Sequence, residues 1–115
     1  MTTGQYRRDG TLYPEGHAGL LEWAADLEKG NHVALSRTIY GEKLSTVWLG
    51  LDHNFMLGPP LIFETMLFSK KRKYELQWRY STEEQARAGH RRAWMLSFVP
   101  PALRERRLFA WIGPR

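Results

Sequence analysis

The side chains that could carry out chemistry in this sequence are a few carboxylates and imidazoles. Histidine titrates near neutral pH and carboxylates bind hard cations, so such groups could form a metal site or a general acid and base pair. Their spacing matches no catalytic or metal-binding motif, because HExxH, GxSxG, GxxxxGKS and GxGxxG are all absent. The candidate set is Asp52, His53, Glu64 and His90, to which His17 and His32 could be added.

Structural roles account for the same side chains without any chemistry. Asp52 can cap a loop, and the imidazoles can hydrogen bond to backbone groups. Glu64 can face solvent or pair with a strand neighbour such as Arg79 or Arg37. Because no motif favours catalysis, we expect a protein that is not an enzyme and that has no metal site and no cofactor.

The second half of the chain is strongly basic. Residues 1–57 carry five basic and seven acidic side chains, whereas residues 58–115 carry twelve basic and five acidic ones. Such a polarised field attracts anionic partners, and nucleic acid is one candidate, with bases stacked on Tyr74, Trp78 or Trp111. Apolar and polar residues alternate along their strand, which instead predicts that Tyr74 and Trp78 are buried. The basic residues would then form only a charged turn and a solvated helix face. The basic candidates are Lys70, Lys71, Arg72, Lys73, Arg91 and Arg92, with Arg104, Arg106 and Arg107 near the end of the chain.

Exposed apolar segments favour a third hypothesis, which is protein binding. Turn-forming residues within 52–60 predict an exposed loop, and residues 108–112 form an apolar run in a basic tail. Aromatic and methionine side chains in such segments are typical interface anchors. The loop could equally fold back onto the sheet, and the tail could pack on its own domain or on a second copy. The partner-binding candidates are Phe55, Met56 and Leu57 in the loop and Arg104, Arg107, Phe109 and Trp111 in the tail.

The helices and strands that position these residues can be predicted from the sequence, and together they form an α+β fold with two layers. Hydrophobic periodicity indicates an antiparallel four-stranded sheet in meander order, packed by a short N-terminal helix and a longer C-terminal helix. Val33, Leu35 and Ile39 recur with period two, and Ser81 with Glu84 forms a capping box that begins the second helix. The predicted helices cover residues 17–29, with an apolar stripe of Leu20, Trp23, Ala24 and Leu27, and about 82–98, with a stripe of Ala86, Ala93, Trp94 and Ser97. The predicted strands cover residues 33–39, 44–51, 61–68 and 74–80.

A single domain is expected for a chain of 115 residues with 43% hydrophobic content. We expect this domain to cover residues 1–99 and a basic, aromatic extension to cover residues 100–115, because Pro100 and Pro101 end the second helix. The absence of cysteine excludes disulfide and thiol chemistry and fits a reducing compartment. No signal peptide, membrane-spanning run or long amphipathic helix is expected, so the cytoplasm is the predicted compartment.

Three runs of residues within 40–90 carry a resemblance. They are Ser-Thr-Val-Trp-Leu-Gly-Leu-Asp-His at 45–53, Gly-Pro-Pro-Leu-Ile-Phe-Glu-Thr-Met at 58–66 and Tyr-Ser-Thr-Glu-Glu at 80–84, the last followed by Ala86 or Ala88, Gly89 and His90. In these runs the chain resembles a group of small uncharacterised proteins encoded by bacteriophages and prophages. The resemblance implies a phage or prophage origin and a bacterial host cell, and it carries no activity that can be transferred.

We therefore expect a non-catalytic phage or prophage accessory protein that acts by binding a macromolecule. A protein partner is favoured, and inhibition of a host or defence complex would suit a small phage-encoded binder. The alternative is a nucleic-acid-binding module that uses the basic second half of the chain.

Overall fold

Four antiparallel strands and two helices form the predicted α+β fold in the part of the chain that the structure describes. The elements are α1 His17–Lys29, β1 His32–Arg37, β2 Lys43–Trp48, β3 Phe63–Phe68, β4 Leu76–Tyr80, α2 Glu83–Leu96 and a 3-10 turn at Pro101–Leu103. The structure is a computed structural model, and it describes residues 4–52, 58–69 and 76–104. The strands form one sheet in the order β1-β2-β3-β4, each antiparallel to the next. The predicted meander is therefore confirmed.

The core lies between this sheet and α2. Paired residues of neighbouring strands share one face, and Trp48 of β2 pairs with Phe63 of β3, which pairs with Tyr80 of β4. At most 1% of each of these residues is exposed. Burying one such side chain stabilises the folded state by roughly 1.5–3 kcal/mol. Because these side chains are large and interiors are closely packed, the helix that covers them must carry small residues on the face toward the sheet. The residues that α2 buries are Ala86, Gly89, His90 and Ala93.

The first strand departs from its predicted period. Val33 and Leu35 were expected on one face, but Val33 is buried whereas Leu35 is 58% exposed. A register irregularity between His32 and Ala34 explains the difference, because an extra residue at a β-bulge moves the following side chains to the other face. Ile39 lies outside the strand, in the turn that follows it, and is also exposed.

The capping box of α2 lies one residue later than predicted. Thr82, not Ser81, is the N-cap, and its hydroxyl accepts from the backbone N–H of Gln85 at 3.1 Å. The Gln85 side chain returns the contact by accepting from the Thr82 N–H at 3.3 Å. Both pairs satisfy the same sequence pattern, so the pattern alone cannot select between them.

The helix α1 packs at the end of the sheet that lies farthest from the turn between β1 and β2. Trp23 and Leu27 of its predicted stripe are half-buried against the core, whereas Leu20 is exposed. The indole N–H of Trp23 donates to the carbonyl of Leu49 at 2.9 Å. Neither helix in the described part of the chain has the length and apolar character that crossing a membrane requires.

Replacing Gly89 should reveal how closely α2 approaches the sheet. Glycine inside a helix normally costs about 1 kcal/mol relative to alanine, so Gly89→Ala would stabilise an ordinary helix. Here the added Cβ would overlap the hydroxyl and ring of Tyr80, and we expect a loss of about 2 kcal/mol. Urea unfolding measures the change. Tyr80→Phe in the same background should recover part of the loss, and a higher melting temperature for Gly89→Ala would contradict this packing.

Candidate functional site

An exposed cluster of apolar side chains lies where α2 ends beside the turn between β1 and β2. The rings of Trp94 and Phe98 meet edge to face, with centroids 4.9 Å apart and planes at 87°. Between 39% and 64% of the surface of each member is exposed. We call this cluster the aromatic patch, and its members are Ile39, Tyr40, Trp94, Met95 and Phe98.

Polar atoms at the edges of the rings hold the aromatic patch in place. The indole N–H of Trp94 donates to the carbonyl of Arg37 at 3.4 Å. The hydroxyl of Tyr40 donates to the carbonyl of Phe98 at 3.3 Å. Two of the three rings are therefore tethered at their polar edge, although a large part of the surface of each ring faces solvent.

A tight turn brings Tyr40 to this position. The backbone N–H of Thr38 donates to the carbonyl of Glu42 at 2.9 Å. Gly41 has a φ of 79°, which glycine adopts without the strain of a side chain. The side-chain hydroxyl of Thr38 donates to the Glu42 carboxylate at 2.8 Å. The turn thus directs a carboxylate inward and an aromatic ring outward.

Arg104 binds that inward carboxylate. Its two terminal nitrogens donate to the two carboxylate oxygens of Glu42 at 2.6 and 2.7 Å, and the side chains are 4% and 5% exposed. The same guanidinium donates to the carbonyls of Ser97 and Val99 at 2.8 and 2.9 Å and lies 5.7 Å from the centroid of the Tyr40 ring. Because one side chain joins the turn to the exit of α2, we call this pair the buried clamp.

The buried clamp corrects the predicted role of Arg104. The sequence predicts that the basic tail exposes Arg104 to a partner, but its side chain is buried and donates to Glu42 and to two backbone carbonyls inside the domain. Contacts of the domain also extend past residue 99, the predicted boundary, to Arg104 itself. A bidentate arginine–carboxylate pair has strong geometric preferences, which explains why it can fix the turn and the helix end together.

A buried line of hydroxyls and one imidazole crosses the interface between α2 and the sheet. His90 places Nε2 2.9 Å from Ser36 Oγ and Nδ1 2.7 Å from Thr46 Oγ1. Thr46 Oγ1 in turn lies 2.6 Å from Thr65 Oγ1. A neutral imidazole has one donor and one acceptor, and the two hydroxyls complement both. The prediction that His90 bonds to backbone is therefore wrong, because two strand hydroxyls occupy both of its ring nitrogens.

Burial lowers the pKa of His90 below its usual value of 6.5. The imidazole is therefore neutral at physiological pH. Nearby, burial raises the pKa of Tyr80 to about 12, with Thr65 and Arg92 opposing the shift. Both groups are held uncharged in the core, which is typical of a structural site.

The carboxylates of the predicted chemical cluster lie apart from His90. Glu64 pairs in register with Val47, the neighbour of Thr46, so it lies on the opposite face of the sheet. There it accepts from Gln77 at 2.5 Å and from Arg79 at 3.3 Å, and the predicted Arg79 pairing is confirmed.

The remaining members of that cluster do not join it. Asp52 accepts from the backbone N–H of Leu61 at 3.0 Å, the predicted loop cap. His17 and His32 are exposed at the starts of α1 and β1. His53 lies outside the described residues. Within the described ranges no three metal-binding side chains converge.

Most of the predicted binding residues lie outside the described ranges. Among the nucleic-acid candidates, Arg91 is exposed and Arg92 is half-buried on α2. Trp78 is 9% exposed, as its alternation predicted, and cannot stack on a base. The candidates outside the described residues are Phe55, Met56, Leu57, Lys70, Lys71, Arg72, Lys73, Arg107, Phe109 and Trp111, together with Tyr74 and Arg106.

Sequence reasoning missed the aromatic patch. Trp94 was assigned to the buried stripe of α2, yet 39% of it is exposed. The missed signal is that the inner face of α2 already consists of Ala86, Gly89, His90 and Ala93 at helical spacing, which leaves Trp94 and Met95 in its last turn, and Phe98 after it, outside that face. No local pattern linked this helix end to Tyr40.

A cleft of about 260 Å³ lies between the N-terminal segment and α1, and Arg7, Arg8, Tyr13, Asp26 and Trp48 line it. Arg7 lies over the Tyr13 ring at 4.7 Å and donates to the carbonyl of Leu12 at 2.7 Å. Arg8 donates to Glu83 at 2.8 Å. Arg7 also pairs with Glu22 of α1 at 3.5 Å. The two arginines thus fasten the N-terminal segment to both helices, and we assign them a structural role.

Comparison of the chain with protein-family models, with curated proteins and with solved structures finds no match. The candidate site is therefore argued from this chain's own residues.

The buried imidazole predicts a pH dependence of stability. Because the pKa of His90 is lower in the folded state, the unfolded chain binds the proton first as the pH falls. The free energy of unfolding should therefore decline as the pH drops below about 6.5 and level off below the folded pKa. Urea unfolding from about pH 7.5 to about pH 5 measures this slope. His90→Gln should flatten it, whereas the exposed control His17→Gln should keep it; equal slopes in all three proteins would contradict the assignment.

Breaking the buried clamp should destabilise the domain strongly. Glu42→Gln leaves the Arg104 guanidinium buried without a counter-charge, and we expect a loss of about 3 kcal/mol. The exposed control Glu28→Gln should change stability by less than about 0.5 kcal/mol. The double variant Glu42→Gln/Arg104→Met should lose less than the sum of its single variants. An unchanged unfolding midpoint for Glu42→Gln would contradict the clamp.

Proposed function

We propose that this chain is a non-catalytic accessory protein of phage or prophage origin that binds another protein through the aromatic patch. The observation that carries the proposal is a group of exposed aromatic rings, of which Trp94 and Tyr40 donate to the carbonyls of Arg37 and Phe98 and Tyr40 also lies against the Arg104 guanidinium. The origin and the bacterial cytoplasm as compartment rest on the sequence resemblance alone.

Composition supports the patch as an interface. Tryptophan and tyrosine are the residues most enriched among interface hot spots, and phenylalanine and methionine are also enriched at interfaces. The patch joins Trp94 to Phe98 through a ring contact and Tyr40 to Phe98 through a hydrogen bond, and exposed Met95 precedes Phe98 by three positions. Single exposed leucines elsewhere, such as Leu21, need no such explanation.

Pre-organisation is the second support. Ordering a mobile side chain on binding costs roughly 0.5–1.5 kcal/mol. The Trp94 indole and the Tyr40 hydroxyl are already bonded to backbone carbonyls in the free chain. The rings therefore lose little conformational freedom when a partner covers them, and more of the contact energy appears as affinity.

The proposed biological role, inhibition of a host or defence complex, is an analogy based on the small size of the chain and its proposed phage origin. A small phage-encoded binder without catalytic groups can act by occupying a surface that a host or defence complex needs. A rigid patch on a stable α+β scaffold suits such inhibition, because it requires affinity and no turnover.

Removing the anchors should abolish capture of the partner. Tagged wild-type protein should retain a partner from bacterial lysate, and nuclease treatment should leave this retention unchanged. Trp94→Ala and Phe98→Ala should each weaken binding by about 2 kcal/mol or more. The matched control is Leu21→Ala, an exposed apolar residue of α1 that is 57% exposed, and it should bind normally.

Folding of each variant is checked by its melting temperature. Ile39→Glu adds a charge to the patch at a residue that is 64% exposed, so it tests binding without disturbing the core. Retention that survives Ile39→Glu and Trp94→Ala would overturn the proposal. Retention that nuclease removes, with affinity falling steeply with salt, would favour nucleic-acid binding through residues such as Arg91.

A further inference from the structure

We infer that the segment that docks on the aromatic patch is a peptide segment of a partner protein that carries acidic side chains among its apolar ones. This inference rests on the proposed function and adds the chemistry of the partner. It follows from the charges that surround the patch in the folded chain.

Two exposed arginines border the patch. Arg37 lies beside the turn that carries Tyr40, because its guanidinium donates to the carbonyl of Gly41, the next residue after Tyr40. Arg91 precedes Trp94 by three positions and Met95 by four on α2, so its side chain neighbours both on the helix surface. Among the described residues neither arginine forms an ion pair, and Arg37 makes one contact of 3.3 Å to the carbonyl of Gly41.

The nearby carboxylates are already engaged. Glu42 lies under the turn and is bound on both oxygens by Arg104. Glu83 lies at the far end of α2, about 17 Å along the helix from Trp94 at 1.5 Å per residue, and it is bound by Arg8 and Arg87. Glu84 is exposed and lies seven positions before Arg91 on α2, about 10 Å along the helix. Neither it nor any other described carboxylate forms an ion pair with Arg37 or Arg91.

An acidic, apolar segment complements this arrangement in both respects. Its apolar side chains would cover the rings, and its carboxylates would meet Arg37 and Arg91 at the rim, where opposite charges raise the association rate. A basic segment would bring like charges together. A second copy docked through the same patch would do the same, because a two-fold interface places identical surfaces face to face.

The partner chemistry can be tested with a displayed library of random peptides. The folded wild-type chain is the bait, and each enriched peptide is measured again against Trp94→Ala. Peptides enriched in aspartate or glutamate with aromatic or leucine residues, which lose binding to Trp94→Ala, are the expected result.

The other outcomes separate the two claims. Patch-dependent peptides that are neutral or basic would overturn the acidic inference and leave the proposed function standing. An absence of any peptide that depends on Trp94 would overturn the acidic inference and count against the proposed function as well.

Charge reversal gives the quantitative check. For a fluorescent peptide of leucine, phenylalanine and glutamate, Arg91→Glu should weaken binding about tenfold, mainly through slower association. Lys29→Glu makes the same change in net charge at the opposite end of the sheet, where 79% of the lysine side chain is exposed, and should change affinity by less than about twofold. If Arg91→Glu and Lys29→Glu lose equal affinity for the peptide, the loss comes from the net charge of the chain, and the inference is overturned.

Discussion

The buried pair of Glu42 and Arg104 is the contact on which the proposed docking surface depends. Two charges at about 5% exposure persist together because each satisfies the other and Arg104 also bonds two carbonyls beyond α2. A lone buried charge is far more costly than the pair. Since Glu42 belongs to the turn and Arg104 to the chain after the helix, the pair fixes the distance between Tyr40 and Phe98. The buried clamp beneath the aromatic patch therefore determines how its residues are arranged.

Local periodicity was enough to predict the scaffold. The alternation of Trp78 and Tyr80 with Gln77 and Arg79 gave the buried face of β4, and the structure buries both aromatic residues. Cross-strand neighbours also follow from register in a meander, so the Glu64 partner could be found among strand residues. Such predictions succeed because successive side chains of a strand point to opposite faces of the sheet, so the residues that alternate as apolar are also the ones that the core buries.

The candidate site could not be predicted, because contacts distant in sequence create it. Glu42 and Arg104 are separated by 62 positions and Tyr40 and Phe98 by 58, and no local pattern encodes such pairs. The bulge after His32 is a further limit, since one inserted residue reverses the faces of a strand without changing its composition. Composition shows that the chain is rich in aromatic residues, but only tertiary packing decides which of them face solvent.

Side-chain footprinting of the complex tests the docking surface most directly. Hydroxyl radicals oxidise exposed Trp94 and Met95 in the free chain at rates set by their accessibility, and mass spectrometry locates the products. If the patch is the interface, adding the captured partner should slow oxidation at these two residues several-fold while Leu21 on α1 reacts as before. Unchanged oxidation of Trp94 and Met95 in a saturated complex would contradict the account.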